Sequence, residues 1–233
     1  MKQYELNNST ARRGFLGTLL KGATALGLLS LASPFKLNAA AIMETEDLTD
    51  PDIWFNQIKG KHKMVFDCTQ PHEVFPFAWP KVFLLTNDKT GTPEKENSVV
   101  VVLRHDAIPY AFEDRIWSTY GFGEVFKADD PKTKTPSKRN PFWKPMAGDF
   151  KVPGVGNVQI GINELQESGV MFCVCDMAIT VFSNVVGGMQ KKDPVEVKKD
   201  WMTGLLPGVQ VVPSGVWAIG RAQEHGCAYC FAG

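Results

Sequence analysis

Four consecutive valines, Val99 to Val102, lie in an apolar run at residues 98–103 and constrain this chain more than any other feature. Valine is β-branched and favours extended backbone, and a run without polar alternation is typical of a strand buried on both faces. Strands of that kind occur in parallel sheets whose faces are covered by helices. The run therefore predicts an α/β protein built around a parallel sheet.

Apolar segments that alternate with helix-like segments extend this prediction along the chain. Strands are expected at residues 63–68, 98–103, 170–175, 209–212 and 227–231. Helices are expected at residues 75–87, 157–167, 176–186, 194–205 and 216–225. Pro76 and Pro80 should restrict the first helix to its latter half, and Gly187-Gly188 should separate the third from the fourth. The alternation predicts an α/β fold of three layers, with a mainly parallel five-stranded sheet and helices on both faces.

The N-terminal residues carry the pattern of a twin-arginine export signal. Arg12-Arg13 precede Phe15-Leu16 and a weakly apolar stretch at residues 18–32, and Ala39-Ala40-Ala41 offers a cleavage site. We therefore expect residues 1–41 to be a signal peptide that engages the Tat translocase, with a mature chain that is periplasmic or otherwise exported and has no stable membrane span after cleavage. The alternatives are an amphipathic helix packed on the domain and an uncleaved anchor, although the stretch is short and Gly-rich for a span.

Without that segment, the chain consists of a lead-in at residues 42–61 and one domain at residues 62–233, which is long enough for a sizeable core. Its 25 basic and 25 acidic residues balance, so no broad field attracts nucleic acid or anionic lipid. A long connection at about residues 121–156 interrupts the alternation of strands and helices. Connections of this length often serve binding or assembly, and the alternative is a solvated excursion.

All five cysteines follow the predicted signal: Cys68, Cys173, Cys175, Cys227 and Cys230. Disulfides can persist outside the cytoplasm, and an odd count leaves at least one thiol unpaired within the chain. Cys227 and Cys230 form a C-x-x-C motif without a second metal-ligand pair at the usual spacing. Residues three apart on a strand face opposite sides, which favours a structural role, whereas a turn at this point would allow a redox pair.

The predicted strand ends carry the residues with chemical potential. Ligands of parallel sheets bind beyond the carboxyl ends of the strands, which here are residues 68–72, 104–106, 175–176 and 213–215. Cys175 ends a strand and directly precedes a helix, where backbone N–H groups and the helix dipole favour a thiolate that attacks as a nucleophile or carries a persulfide. The alternative for Cys175 is a small buried apolar residue, and Cys173 is expected in the core.

Three segments resemble the DsrE/DsrF-like proteins, in the same order along the chain. They are residues 98–109 (SVVVVLRHDAIP), 169–175 (GVMFCVC) and 206–223 (LPGVQVVPSGVWAIGRAQ). The resemblance implies a flavodoxin-like parallel sheet, assembly into a homotrimer or homohexamer, and sulfur-relay chemistry with Cys175 as the sulfur-carrying residue. The export signal, the connection at 121–156 and the C-x-x-C motif depart from the short cytoplasmic relatives.

Two functional hypotheses follow from these residues. In the first, the protein handles sulfur as a persulfide carrier or a sulfurtransferase: Cys175 accepts a sulfane sulfur, His105 orients or deprotonates, and Arg104 balances negative charge. In the second, it is a non-catalytic periplasmic oligomer that holds a cofactor or metal. Ligands would then come from His72, His105, Cys68 and Cys175, because imidazole and thiolate suit zinc, copper or iron. The residues do not indicate which cofactor that would be.

Overall fold

The computed structural model describes residues 51–152, 154 and 156–233. Its strands are β1 (His62–Cys68), β2 (Asn97–Leu103), β3 (Lys151–Val152), β4 (Gly156–Asn157), β5 (Val170–Cys175), β6 (Val209–Val212) and β7 (Ala228–Phe231). Its α-helices are α1 (Pro51–Phe55), α2 (Phe75–Lys89), α3 (Asp114–Tyr120), α4 (Phe122–Val125), α5 (Ile162–Glu167), α6 (Asp176–Gln190), α7 (Pro194–Thr203) and α8 (Gly215–Glu224). Short 3₁₀ helices span Glu94–Glu96 and His105–Ala111. The predicted twin-arginine signal lies outside the described residues.

The central sheet has five strands in the order β6-β5-β2-β1-β7. Every neighbouring pair in it is parallel. Strand β2 occupies the middle and all seven of its residues are buried, as the valine run predicts for a strand covered on both faces. The α/β class and the five-stranded sheet are thereby confirmed, and the architecture is consistent with a three-layer, flavodoxin-like fold.

Alternate residues of the strands feed two separate apolar cores. Val99 and Val101 belong to the larger core, together with residues of α2, α5, α6 and α7, whereas Val100 and Val102 belong to the smaller core. The smaller core is completed by residues of α1 and α8. This division follows from the two-residue period of strand side chains. Helices therefore cover both faces of the sheet.

Strands β5 and β6 lead into helices on opposite faces of the sheet. Helix α6 follows β5 and contributes Ala178 and Ile179 to the larger core, whereas α8 follows β6 and contributes Ala218 and Ala222 to the smaller core. Neighbouring strands whose connections diverge in this way open a crevice at their carboxyl ends, where ligands of α/β proteins bind. The fold thus places Cys175, the last residue of β5, at this crevice.

Helix α2 begins at Phe75, so the prediction that its prolines confine it to the latter half is wrong. Pro76 lies in the first turn, where a helix needs no N–H donor. Pro80 lies inside the helix and cannot donate to the carbonyl of Pro76. That carbonyl instead accepts a weak hydrogen bond from the Cys68 thiol, with a sulfur-to-oxygen distance of 3.9 Å. A neighbouring strand thus replaces the missing partner.

Two other predicted helix boundaries are wrong. Helix α5 begins at Ile162 rather than residue 157, because Gly156–Asn157 pair with Lys151–Val152 in an antiparallel hairpin. Helix α6 continues through Gly187-Gly188 to Gln190. A Cβ on Gly187 would lie 3.2 Å from the Lys192 carbonyl oxygen, so this glycine allows the following segment to approach closely rather than ending the helix.

Several described residues of the long connection at about 121–156 pack into the larger core. Phe142 and Phe150 are buried and their rings stack with centroids 4.8 Å apart. Asn140 is fully buried and donates to the carbonyl oxygens of Tyr110 and Phe112, at 2.9 Å each. These three residues of the connection are therefore packed in the domain rather than solvated.

None of the helices in the described part of the chain has the length and apolar character that crossing a bilayer requires.

Candidate functional site

The carboxyl ends of the strands are connected by backbone hydrogen bonds. The N–H of Asp106, after β2, donates to the carbonyl of Thr69, after β1, at 2.9 Å. The N–H of Met177, after β5, donates to the carbonyl of Pro213, after β6, at 3.3 Å. The four segments that the sequence pattern marks as strand ends therefore lie along one edge of the sheet.

Cys175 is the N-cap residue of α6, a helix of 15 residues. Its sulfur accepts a hydrogen bond from the backbone N–H of Ala178 at 3.3 Å, and the residue is 6% exposed. A helix N-terminus carries unpaired N–H groups and a partial positive charge, both of which stabilise a thiolate. Cys175 thus lies where the sequence places it, at a strand end and directly before a helix.

The other four thiols lie in environments that disfavour ionisation. Burial is the main cause that raises the pKa of each of them, to about 11 for Cys227. For Cys68, the negative charge of Asp67 raises the pKa further. Cys173 is fully buried in the smaller core, as expected from the sequence. Thiolate chemistry is therefore disfavoured at these four positions.

The C-x-x-C motif spans both faces of the sheet edge. Cys227 belongs to the smaller core, whereas Cys230 on β7 packs against the larger core. Both thiols are free, as are the other three cysteines. The expectation that residues three apart face opposite sides is confirmed, and it disfavours a bond between these sulfurs.

Arg104, Asp67 and Tyr229 form a hydrogen-bonded network at the carboxyl edge. Asp67 is 1% exposed and accepts from Arg104 twice, from Nε at 2.6 Å and from Nη2 at 2.9 Å. The Tyr229 hydroxyl also donates to Asp67, at 2.8 Å. The hydrogen bond from Arg104 to Asp67 is the main cause that raises the pKa of Arg104. The buried carboxylate is thus fully paired, as a buried charge requires.

Arg104 and Cys175 lie at equivalent positions at the ends of neighbouring strands. Leu103 of β2 pairs with Val174 of β5, and Arg104 and Cys175 are the next residues on those strands. Cys175 is among the smaller electrostatic influences that raise the pKa of Arg104. Gly215, at the start of α8, packs against Arg104, since a Cβ there would lie 2.5 Å from the Arg104 Cβ. Two helix N-termini therefore adjoin this part of the edge.

His105 is turned toward solvent. Its side chain is 66% exposed, and its Nδ1 lies 3.3 Å from the Asp106 carboxylate. Its ring contacts Phe182 of α6 edge-on, with centroids 5.8 Å apart. The backbone φ of 50° is in the left-handed region, a strained conformation that is enriched at functional sites. Among the described residues, Cys175 is not a hydrogen-bond partner of His105, so a role in deprotonating that thiol stays a prediction.

The candidate metal ligands do not come together within one chain. His72 is exposed and contacts Phe75, whereas Cys68 is fully buried beneath α2. Residues 51–152, 154 and 156–233 contain no cluster of three or more His, Cys, Asp or Glu side chains that could hold a metal ion. A metal or cofactor bound between subunits, with ligands from His72, His105, Cys68 and Cys175, stays a prediction.

Asp67 and Tyr229 are the members of the site that sequence reasoning missed. Asp67 interrupts the apolar run of β1, and an acid inside a buried strand signals a partner elsewhere in the fold. Tyr229 follows Cys227 by two residues and carries no comparable signal. Its contact with Asp67 joins residues 162 positions apart in the chain.

No family model matches this chain, and no curated protein matches it.

Proposed function

We propose that this protein handles sulfane sulfur through Cys175, as a persulfide carrier or a sulfurtransferase of the DsrE/DsrF-like type. The observation that carries the proposal is the hydrogen bond from the Ala178 N–H to the Cys175 sulfur, at the N-terminus of a long helix. A persulfide is an anion at neutral pH, and the same N–H group and helix dipole would stabilise it. Burial raises the pKa of each of the other four thiols, which disfavours a thiolate there.

The chemistry needs a thiolate and a donor that holds a sulfur–sulfur bond. The Cys175 thiolate attacks the sulfane sulfur of the donor, a new sulfur–sulfur bond forms, and the donor's bond breaks. The electron pair of the broken bond departs with the leaving group, so the exchange requires no external oxidant. Cys175 then holds the sulfur as a persulfide until an acceptor thiolate removes it in the same way.

Arg104 and His105 complete the proposed site with different roles. Arg104 directly follows the neighbouring strand β2 and supplies positive charge at the carboxyl edge. His105 is exposed and strained, and it lies over α6, where it could contact a bound donor or acceptor rather than the buried sulfur.

We propose that the protein acts after export, in the periplasm, as the twin-arginine pattern suggests.

We further propose that the protein assembles as a homotrimer or homohexamer, the assembly that its resemblance to the DsrE/DsrF-like proteins implies. Four exposed apolar residues lie along α6 at four-residue intervals: Met177, Val181, Val185 and Met189. Residues four apart lie next to one another on the surface of a helix, and exposed apolar surface of this kind marks interaction sites. The stripe begins two residues after Cys175, so assembly would enclose the crevice.

Intact-mass measurement after exposure to polysulfide tests the proposed chemistry. The unaltered protein should gain the mass of sulfur atoms, and a reducing agent should remove them. Cys175→Ser should not gain sulfur, whereas Cys230→Ser, which alters the one cysteine that is only partly buried, should gain it as the unaltered protein does. Equal sulfur gain by Cys175→Ser would overturn the site assignment, and absence of gain by the unaltered protein would overturn the function.

A further inference from the structure

Arg104 presents half of its guanidinium to Asp67 and leaves the other half open. Asp67 occupies the side formed by Nε and Nη2. The N–H groups of Nη1 and the second N–H of Nη2 have no hydrogen-bond partner within the part of the chain that the structure describes. The side chain is 27% exposed, so this open side can reach a molecule from solvent. A planar pair of N–H donors matches the oxygens of a tetrahedral or planar oxyanion.

The network fixes the direction of this open side. Asp67 binds Arg104 through two parallel hydrogen bonds, and Tyr229 holds the carboxylate from β7. Gly215 packs directly on the Arg104 side chain. Because the carboxylate already compensates the positive charge, selection of an anion would depend on the geometry of the donors more than on net charge.

The open side of Arg104 belongs to the same carboxyl edge of the sheet as the Cys175 sulfur. Leu103 and Val174 pair on adjacent parallel strands, and Arg104 and Cys175 are the residues that directly follow them. The Arg104 and Cys175 side chains also interact electrostatically. The N-termini of α6 and α8 flank them, with N-cap residues Cys175 and Ser214. An oxyanion held by Arg104 would therefore carry its attached sulfur into the crevice where Cys175 lies.

We propose that Arg104 is the specificity-determining residue of this site, that it selects sulfane-sulfur donors bearing an oxyanion, and that Asp67 and Tyr229 position it. The inference rests on the proposed function of Cys175. With thiosulfate as such a donor, the Cys175 thiolate attacks the outer sulfur and forms a new sulfur–sulfur bond. The sulfur–sulfur bond of thiosulfate breaks, and sulfite leaves with the electron pair while its oxygens remain hydrogen-bonded to Arg104.

The test compares two donors on the full-length protein, with thiosulfate bearing an oxyanion and polysulfide lacking one. Sulfur loading of Cys175 is followed by intact mass over a range of concentrations. Arg104→Lys keeps the charge but loses the paired donors, and it should raise the thiosulfate concentration for half-maximal loading roughly tenfold. Loading from polysulfide should stay largely unchanged. Tyr229→Phe should shift the thiosulfate concentration in the same direction, by roughly threefold.

A matched control exists elsewhere in the chain. Tyr120 donates to Asp200 at 2.7 Å, and Asp200 also binds Arg115, which repeats the same three residue types away from the strand ends. Tyr120→Phe should leave loading from both donors unaltered. Thermal unfolding of each variant establishes that the compared proteins are folded.

The outcomes separate this inference from the proposed function. If Arg104→Lys and Tyr229→Phe load from thiosulfate as the unaltered protein does, the role of Arg104 is wrong while the function of Cys175 stands. The same conclusion follows if the unaltered protein accepts sulfur from polysulfide but not from thiosulfate. If neither donor loads the unaltered protein, both the function and this inference are wrong. A donor-selective shift in both variants, absent from Tyr120→Phe, supports the inference.

Discussion

Arg104 donates two parallel hydrogen bonds to Asp67, from Nε at 2.6 Å and from Nη2 at 2.9 Å, across neighbouring strands of the sheet. The carboxylate is almost wholly buried, whereas the guanidinium reaches solvent on its other side. A buried charge of this kind is stable only while its partner is present. A substitution of Asp67 or Arg104 should therefore alter both the stability of the fold and the candidate site.

Removing the Asp67 charge should weaken the fold considerably. In Asp67→Asn the guanidinium loses its charged partner and the Tyr229 hydroxyl loses a carboxylate acceptor. We expect the free energy of unfolding, measured by urea titration, to fall by about 3 kcal/mol. Glu113→Gln is the control, because this exposed glutamate pairs with Arg115 at the surface, and it should cost less than about 1 kcal/mol. Equal losses in the two variants would show that the buried pair adds no particular stability.

Asn140 should be essential for anchoring the segment at residues 121–156. Its amide donates to the carbonyls of Tyr110 and Phe112 and accepts from the N–H of Phe142. Asn140→Ala leaves these buried backbone groups without partners, and we expect a loss of about 3 kcal/mol together with faster proteolysis of the segment. Asn184→Ala removes an exposed side-chain hydrogen bond on α6 and should have little effect. Unchanged proteolysis in Asn140→Ala would refute the anchoring role.

Asp149 should make stability depend on pH in the acid range. Burial alone would raise the pKa of Asp149, but hydrogen bonds from Lys132 and the Met146 N–H, with the charge of Arg139, outweigh it and hold the pKa below its ordinary value. A carboxylate with a lowered pKa in the folded state stabilises the fold above its unfolded pKa of about 3.9. That contribution is lost as the pH falls through the folded pKa.

Asp149→Asn should accordingly be less stable than the unaltered protein at neutral pH, and the difference should shrink as the pH is lowered below about 4. Urea titrations at a series of pH values measure this directly. Asp88→Asn, at an exposed position on α2, serves as the control and should leave the pH dependence unaltered. A difference that grows toward low pH would contradict the assignment.

The apolar stripe of α6 should control self-association. Val181→Lys and Val185→Lys each place a charge in the proposed contact surface, where an unpaired charge opposes burial. We expect sedimentation velocity to show a shift toward monomer in both variants. Val195→Lys changes a more exposed valine outside the stripe, on α7, and should leave the association unaltered. Identical sedimentation of all four proteins would exclude the stripe as an interface.

Local sequence patterns were sufficient wherever neighbouring residues decide the structure. The valine run of β2 predicts a buried parallel strand because every residue in it is apolar, so both faces of the strand favour exclusion of solvent. The position of Cys175 follows in the same way, since an apolar strand ends there and a helix begins at the next residue. The helix boundaries failed where a contact outside the helix compensates a local defect, as the Cys68 thiol on β1 does for Pro80 in α2.

The sequence by itself thus determined the fold class, the approximate strands and the cysteine at the end of β5. Only the tertiary structure decided which groups pair with Arg104, the residue that follows the neighbouring strand. Arg104 was recognisable as a strand-end residue, but its partner Asp67 and the contribution of Tyr229 from β7 depend on the order of the strands. The physical reason is that period and propensity act over a few residues, whereas hydrogen bonds between strands join groups that the chain separates by more than a hundred positions.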